Sequence, residues 1–260
     1  MTHALGIDIG GTGIKGAVVD TLGGTLLTDR RKLLTPAGGE PRPMIDTAVE
    51  LVAGIPGAQE PMPVGIAFPT IVKRGRTLSA GNISSAWIGL DGQAMFAAAL
   101  GRPVLLVNDA DAAGYAELHF GAAKDVPGLV ILTTLGTGIG SAFIYDGVLV
   151  PNTEFGFLEI DGEIAEARAS YRAKEQDELD WEQWAKRLQR FYTHLERVFS
   201  PDLFIVGGGV SKHADEFLPL LRLSTPIVTA THRNNAGILG AAAIAAAAIA
   251  GAAPAERRPG

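Results

Sequence analysis

The chain contains the same short glycine pattern twice, each time between two apolar runs. Gly11-Thr12-Gly13-Ile14 recurs as Gly136-Thr137-Gly138-Ile139, an offset of 125 residues (136 − 11). The apolar run from Leu5 to Ile9 precedes the first copy, and a second apolar run follows it closely. An apolar run, a glycine turn and another apolar run predict two strands joined by a hairpin. The repeat therefore predicts one strand–hairpin–strand unit that the chain uses twice.

The rest of the chain alternates short apolar runs with segments of helical periodicity, which is typical of an α/β fold. Asp91 and Ser211 are each expected to cap the helix that follows them. Aromatic residues on one face of residues 180–199 are expected in the core. Further strands are predicted over residues 25–34, 64–68, 104–107, 129–134, 203–206 and 226–229, and helices over 43–54, 92–100, 110–120, 180–199 and 236–250.

Composition limits the classes of protein that the chain can belong to. The 260 residues include 22 Lys+Arg and 28 Asp+Glu, a net charge of −6, and 47% are hydrophobic. A disordered chain or a protein that coats nucleic acid needs far more charge per apolar residue. A soluble globular protein without a nucleic-acid partner is expected. The absence of cysteine excludes a disulfide framework, a thiolate zinc site, an iron–sulfur cluster and a cysteine nucleophile.

Two segments of the chain were tested as a signal peptide and as a membrane span. Residues 1–7 contain neither the basic region nor the long apolar run of a signal peptide, so a cytoplasmic location is expected. Residues 236–253 are apolar enough to imitate a membrane span, but they are rich in alanine and glycine. Because alanine is only weakly apolar, a tightly packed helix of a soluble protein is expected there, with no membrane partner.

The first glycine run must be distinguished from two widespread phosphate-binding loops. Gly11, Gly13 and Gly16 fit the spacing of the dinucleotide-binding fingerprint, which requires a helix that begins within the glycines. Residues 17–24 instead contain β-branched side chains and reach a turn, which predicts a hairpin. Lys15 is not followed by Ser or Thr, which excludes a Walker-type loop.

A hairpin tip made of glycines still presents backbone N–H groups that bind anions. Asp8, beside the first tip, is a candidate for holding Mg²⁺ next to phosphates, directly or through water. Thr12 and Lys15 add a hydroxyl and a positive charge. The alternative is that both tips are ordinary hairpin turns. Because the pattern is duplicated, the phosphate-binding interpretation is favoured.

Four motifs, in order along nearly the whole chain, carry a family resemblance. They occupy residues 5–16, 108–114, 135–141 and 207–211, with supporting segments at 32–36, 151–156, 201–205 and 235–238. The chain resembles the ROK sugar kinases on these motifs. Within that family it is similar to the actinobacterial polyphosphate glucokinases and glucomannokinases.

The resemblance implies an α/β, two-lobed hexokinase–actin-type (ribonuclease H-like) fold with a central cleft. Residues 1–108 would form the N-terminal lobe, joined by the C-terminal helix 236–250. Residues 109–235 would form the C-terminal lobe, and residues 251–260 would be a frayed tail. The resemblance also implies a homodimer.

The activity that the resemblance implies is a phosphotransferase reaction. A phosphoryl group from inorganic polyphosphate, ATP or both, with Mg²⁺, would pass to the hydroxyl of glucose or a related hexose and give hexose 6-phosphate. Asp109, expected where a strand ends and a helix begins, matches the family's catalytic aspartate, which takes the proton of the sugar hydroxyl. The alternative role for Asp109 is a cap for a helix that starts at Ala110. Asp111 is expected to be a first-turn acid that favours the helix dipole.

The resemblance also assigns binding residues. For the sugar they are Asn82, Asn108, Asp109, Glu154 and Glu159. For the phosphates of the donor they are Asp8, Gly10, Gly11, Thr12, Gly13, Lys15, Gly136, Thr137, Gly138, Gly208 and Gly209. A polyphosphate donor would need a basic track, for which the candidates are Lys15, Arg30-Arg31-Lys32 and Lys73-Arg74-Gly75-Arg76. The alternative for these basic runs is that they are solvated loop charges.

Two positions depart from the family pattern. Phe157 stands where the family carries His, and Thr70 stands where Gly is common. The His is a zinc ligand in many relatives, together with three cysteines, so no zinc site is expected here. The side chain of Phe157 cannot form a hydrogen bond with a sugar hydroxyl. Loss of one such bond changes the discrimination between substrates by about 1–3 kcal/mol.

Three alternatives stay open: a kinase for another sugar or polyol, a catalytically impaired sugar-binding paralogue, and a sugar-sensing regulator. The regulator is disfavoured, because such relatives carry a DNA-binding helix-turn-helix before the first strand, here expected from about Ala4.

Overall fold

The computed structural model describes residues 2–252 of the chain. Within that range the strands are β1 (His3–Ile9), β2 (Ile14–Asp20), β3 (Thr25–Leu26), β4 (Arg31–Leu33), β5 (Val64–Phe68), β6 (Val72–Lys73), β7 (Arg76–Thr77), β8 (Leu105–Asn108), β9 (Leu129–Leu135), β10 (Ile139–Tyr145), β11 (Val148–Val150), β12 (Glu159–Ile160), β13 (Glu163–Ile164), β14 (Leu203–Gly207) and β15 (Ile227–Thr229). The α-helices are α1 (Pro41–Ala53), α2 (Gly92–Leu100), α3 (Asp109–Phe120), α4 (Ala165–Ala169), α5 (Tyr171–Gln176), α6 (Trp181–Phe199), α7 (Ala214–Phe217) and α8 (Ala236–Ala252).

The chain divides into two compact units. The first unit runs to Val107 and takes up the chain again from Ile238, and the second unit spans Asn108–Gly237. Each unit combines a mixed sheet with helices, so the predicted α/β class is confirmed. Each unit also contains one copy of the glycine repeat, and in both copies the glycines join two antiparallel strands as predicted.

The sheet of the first unit has the strand order β3-β2-β1-β5-β8, and β4 pairs with β2 beside β3. The hairpin of β1 and β2 pairs Ile9 with Ile14, so residues 10–13 form its tip. β5 runs parallel to β1. Asp91 caps α2 as predicted, because its Oδ1 accepts the backbone N–H of Ala94 at 3.0 Å.

One predicted strand of this unit is wrong. The pattern of residues 25–34 predicts a continuous strand, but the structure has two short strands, β3 and β4, that both pair with β2. Thr28 explains the break, since its hydroxyl accepts the N–H of Val18 at 3.1 Å and replaces a backbone partner. The polar Asp29 and Arg30 then fill the gap between the two strands.

The C-terminal helix α8 lies directly on the sheet of the first unit. Gly6 on β1 and Gly65 on β5 are neighbours in register. A Cβ atom built on Gly6 would fall 2.1 Å from the carbonyl oxygen of Ile238, and one on Gly65 would fall 1.9 Å from that of Ala241. The helix backbone therefore reaches the sheet only because both strand positions lack a side chain.

Helix α8 includes the segment that the sequence marked as a possible imitation of a membrane span. Residues Arg233–Gly251 pass the length and composition test for a span, and half of that window is buried inside the protein. The core helix of a soluble protein gives the same result. α8 continues through Ala252, into the segment 251–260 that was expected to be a frayed tail. The remainder of that segment, residues 253–260, lies outside the described residues.

The sheet of the second unit has the order β11-β10-β9-β14-β15. β9 and β10 form its hairpin, with Leu135 opposite Ile139, so that residues 136–138 make the tip. β14 runs parallel to β9, and β15 runs parallel to β14. The long helix α6 begins with a capping box between Asp180 and Gln183. Its aromatic face is core as predicted, with Trp184, Leu188, Phe191, Tyr192 and Leu195 buried.

The predicted role of Ser211 is wrong. Gly208 has a φ of +82° and turns the chain straight into a 3-10 turn over Gly209–His213. Ser211 lies inside that turn, and its hydroxyl donates to the carbonyl oxygen of Gly208 at 2.8 Å. The next helix, α7, begins later and has no side-chain cap.

Candidate active site

The first glycine loop, residues 10–13, closes with a hydrogen bond from the N–H of Gly10 to the carbonyl oxygen of Gly13 at 3.0 Å. Asp8 and Lys15 face each other across the hairpin, and Lys15 Nζ lies 3.1 Å from Asp8 Oδ2. Both side chains are about four-fifths buried, since Lys15 is 24% exposed and Asp8 is 16% exposed. Lys15, predicted to bind phosphates, and Asp8, predicted to hold Mg²⁺, therefore form an ion pair at the base of this loop.

Two further side chains lie against the same loop. Lys32 pairs with Lys15 across β2 and β4. A Cβ atom built on Gly13 would fall 2.5 Å from Lys32 Cε and 3.5 Å from its Nζ, so the Lys32 ammonium group lies over the loop. A Cβ atom on Gly11 would fall 3.7 Å from that of Asn82, so this predicted sugar-binding residue lies beside the loop as well.

The fit of Mg²⁺ to this site rests on oxygen chemistry. Mg²⁺ keeps several waters and is commonly bound by one or two carboxylates together with the phosphates of a substrate. Asp8 supplies one such carboxylate beside the loop, with Lys15 as its present partner. Among the described residues there is no group of three or more His, Asp and Glu side chains that could hold a metal alone. Asp8 therefore fits Mg²⁺ only when a phosphate donor supplies further ligands.

The second glycine loop, residues 136–138, closes in the same way, with the N–H of Gly136 donating to the carbonyl oxygen of Gly138 at 3.0 Å. Glu166, on α4, occupies the next backbone donor, because its Oε2 accepts the N–H of Ile139 at 3.1 Å. A Cβ atom on Gly138 would fall 2.5 Å from that oxygen. Gly208 packs on the strand that leads into the loop, since a Cβ there would fall 2.4 Å from the carbonyl oxygen of Leu135.

Helix α3 starts one residue earlier than predicted, and Asn108 caps it. Asn108 Oδ1 accepts the N–H of Ala110 at 2.9 Å and that of Asp111 at 3.0 Å. The alternative that Asp109 is the helix cap is therefore wrong. Asp109 is the first residue of the helix, and its Oδ1 also accepts the N–H of Ala110, at 2.9 Å.

Asp111 differs from a simple first-turn acid. It is 3% exposed, and its Oδ2 accepts the backbone N–H of Asn152 at 2.8 Å. Its Oδ1 is buried without a hydrogen-bond partner among the described residues. Burial raises the pKa of Asp111 to about 6, although the bond from Asn152 opposes the shift. The first-turn position was predicted correctly, but its partner across the unit was not.

Glu154 is a half-buried acid with other acids as neighbours. Burial raises its pKa to about 7, and the negative charges of Glu166 and Asp111 add to the shift. Glu166 is thus a candidate site residue that the sequence did not reveal, because exposed acids such as Glu163 stand close to it in the chain. Glu159, which was predicted for the sugar, is exposed on β12.

The two positions that depart from the family pattern lie in different surroundings. Phe157 is 52% exposed at the end of a 3-10 turn over Phe155–Phe157. Thr70 is 2% exposed in the first unit, just after β5. Phe157 therefore presents an apolar ring to solvent at the position where the resemblance implies a histidine.

Comparison with known proteins places these features in a family. The family model described as "ROK family" matches residues 4–156. A polyphosphate glucokinase of Mycobacterium tuberculosis is 47% identical over 241 residues, which cover 92% of this chain and 90% of that protein. The structure of an inorganic polyphosphate/ATP-glucomannokinase from Arthrobacter sp. strain KM matches with a TM-score of 0.91 and 50% identity, over 96% of this chain and 100% of that one.

A ROK family glucokinase from Streptomyces griseus, solved in complex with glucose and AMPPNP, matches with a TM-score of 0.80 and 25% identity. The match covers 94% of this chain and 99% of that one. These structures share the two-lobed hexokinase-like fold. Because the family model matches more than half of the chain and a relative is 47% identical over 92% of it, this chain belongs to the ROK family.

Proposed function

We propose that this chain is a hexose kinase that moves a phosphoryl group from inorganic polyphosphate or ATP to glucose or a related hexose, giving hexose 6-phosphate. The observation that carries the proposal is the start of α3, where Asn108 takes the cap and Asp109 presents a carboxylate at the first helical position. The similar proteins named for polyphosphate, ATP and glucose support it.

Asp109 is the base in this proposal. It accepts the proton of the sugar hydroxyl as the hydroxyl oxygen bonds to phosphorus. The bond between phosphorus and the leaving phosphate oxygen breaks in the same displacement. The carboxylate of Asp109 lies in the first turn of α3, where the helix dipole stabilises a negative charge.

The sugar is held by polar side chains in this proposal. Glu154 and the amide group of Asn108 bond its hydroxyls, together with Asn82 and Glu159. Glu166 joins them, because its charge acts on Glu154 while its oxygen contacts the second glycine loop.

Both glycine loops bind the phosphates of the donor in this proposal. In the first, Gly10, Gly11, Thr12 and Gly13 supply the backbone and the hydroxyl, and Lys15 and Lys32 supply charge. In the second, the N–H groups of Gly136 and Ile139 already have partners, so the donor would bind to those of Thr137 and Gly138. Gly208, just after β14, packs against Leu135 at the base of this loop, and Gly209 begins the 3-10 turn that follows it.

Mg²⁺ is part of the proposal through Asp8. When bound with the donor, the ion neutralises charge on the phosphoryl oxygens. Asp8 would hold it directly or through water, while Lys15 keeps the carboxylate in place at 3.1 Å.

A second acceptor class has one observation in its favour. The exposed ring of Phe157 gives no hydrogen bond where the family places an imidazole. A polyol or an amino sugar is therefore the competing acceptor. A cytoplasmic homodimer is proposed from the family resemblance, and size-exclusion chromatography with light scattering tests the dimer.

A matrix of phosphorylation rates tests the function. Purified protein is incubated with ATP or long-chain polyphosphate and with glucose, mannose, inositol or N-acetylmannosamine, and phosphorylated product is quantified by ³¹P NMR. Turnover of glucose or mannose with either donor is expected. Turnover restricted to inositol or the amino sugar would support the competing acceptor, and no turnover at all would indicate an impaired sugar-binding paralogue.

A further inference from the structure

Asp111 is a buried carboxylate that the proposed reaction does not use. One of its oxygens, Oδ1, has no hydrogen-bond partner among the described residues, and the side chain is 3% exposed. A buried oxygen without a partner is costly, and a neutral apolar residue at this position would avoid the cost. The other oxygen, Oδ2, makes one bond, to the N–H of Asn152 at 2.8 Å. That bond is the visible function of the residue.

Asn152 directs the chain into the segment that carries Glu154. It has a φ of +60°, a left-handed conformation that ends the extended path of β11. Asparagine adopts this conformation more readily than most residues, but the turn still needs an anchor that fixes its position. The carboxylate of Asp111 supplies it from the first turn of α3, two residues after Asp109.

The other side of the segment is held by Ser141 on β10, which is fully buried. Its hydroxyl donates to the carbonyl oxygen of Thr153 at 2.8 Å and accepts the N–H of Phe155 at 3.0 Å. Thr153 Oγ1 in turn donates to the backbone carbonyl of Ser141 at 3.2 Å. Glu154 therefore lies between Thr153 and Phe155, both of which are hydrogen-bonded to Ser141.

We infer that Asp111 is a positioning residue that fixes the Glu154 segment to the helix turn of Asp109 through its bond with Asn152. The inference rests on the proposed function, since it concerns the geometry between a sugar-binding acid and the base, to which the bond from Asn152 to Asp111 contributes. Misplacing a binding group by about 1 Å is enough to weaken a reaction severely.

Three variants test the inference. Asp111→Ala removes the acceptor, and Asp111→Asn keeps an acceptor oxygen of the same size while removing the charge. Asp202→Ala is the matched control, because Asp202 Oδ2 accepts the N–H of Leu129 at 2.7 Å in the same unit but outside the site. Each protein is measured for KM with sugar, KM with donor, kcat, melting temperature and amide hydrogen exchange of residues 150–158.

Asp111→Ala is expected to raise the KM for the sugar by about tenfold and to speed exchange in residues 150–158, with the donor KM unchanged within about twofold. Asp111→Asn is expected to restore both readouts. Asp202→Ala is expected to lower the melting temperature without either effect. The inference is overturned if exchange in residues 150–158 is unchanged in Asp111→Ala, or if Asp202→Ala raises the sugar KM equally.

Failure of the proposed function is distinguishable from failure of this inference. If the unmodified protein phosphorylates no sugar, the proposed function fails, while hydrogen exchange still decides whether Asp111 holds the segment. If the protein is active and exchange is insensitive to Asp111→Ala, the positioning role alone fails.

Discussion

The side-chain oxygen of Asn108 accepts the backbone N–H of Asp111 at 3.0 Å. This bond and the bond from the N–H of Ala110 satisfy two of the backbone donors in the first turn of α3. Asp109 is therefore not required as the cap, and its carboxylate stands at the positive end of the helix. The assignment of Asp109 as the base depends on this division of roles between adjacent residues.

Asn108→Ala is expected to lower the free energy of unfolding by about 1 kcal/mol, because it removes a helix cap. Asp91→Ala is the matched control, since Asp91 caps α2 in the other unit. Urea unfolding should show a similar loss in both variants. Only Asn108→Ala should also raise the KM for the sugar, and an equal rise in both would contradict a sugar contact by Asn108.

Gly65→Ala is expected to destabilise the first unit by about 3 kcal/mol, because overpacking against backbone cannot be relieved by a rotamer change. The added Cβ would lie 1.9 Å from the carbonyl oxygen of Ala241. Gly251→Ala is the control, because Gly251 lies on α8, like Ala241, but an added Cβ there would have no atom within 4 Å. Thermal unfolding of the two variants checks the direct contact between α8 and the sheet, and equal melting temperatures would refute it.

The raised pKa of Glu154 predicts how stability depends on pH. Burial and the nearby charges of Glu166 and Asp111 raise this pKa from 4.5 to about 7, so the folded chain keeps a proton that the unfolded chain has released. The free energy of unfolding therefore falls as the pH rises from 4.5 through about 7. Asp111 acts in the same direction at lower pH, since its pKa is about 6.

Glu154→Gln should remove much of this dependence. Urea unfolding between pH 4.5 and about pH 7, the two pKa values of the unfolded and folded states, is expected to show a smaller loss of stability in the variant than in the unmodified protein. Glu159→Gln, the same substitution at an exposed position on β12, controls for the loss of one charge. Identical slopes in Glu154→Gln and the unmodified protein would contradict the buried, acid-flanked environment.

Lys32→Met is expected to raise the KM for polyphosphate by about tenfold and to leave the sugar KM unchanged. Methionine keeps the stem that packs on Gly13 and removes the ammonium group that lies over the loop. Lys124→Met, on an exposed lysine of the other unit, is the control. If both variants have the donor KM of the unmodified protein, Lys32 is a solvated loop charge.

The sequence was sufficient for features that are local in the chain. The hairpins around Gly11 and Gly136, the cap at Asp91 and the core face of α6 follow from spacing and side-chain chemistry within a few residues. The family resemblance extended this to the fold, because its motifs are spread over nearly the whole chain.

The features that were missed depend on contacts between distant residues. The break at Thr28 arises from a bond to Val18, and the role of Asp111 arises from a bond to Asn152, 41 positions away. Glu166 reaches the second glycine loop from 27 positions beyond it. Single-sequence periodicity contains no information on such pairs, since it reports only the face on which a residue lies.

The central claim, that Asp109 is the base of a hexose kinase, is tested by comparing Asp109→Asn with the unmodified protein. Asparagine keeps an oxygen for the N–H of Ala110, so the fold should be retained. The rate of glucose 6-phosphate formation is measured with ATP and with polyphosphate, alongside glucose affinity by calorimetry. We predict a loss in kcat of about a thousandfold with both donors, at a similar melting temperature and measurable glucose binding. An Asp109→Asn protein that phosphorylates glucose at the unmodified rate would contradict the account.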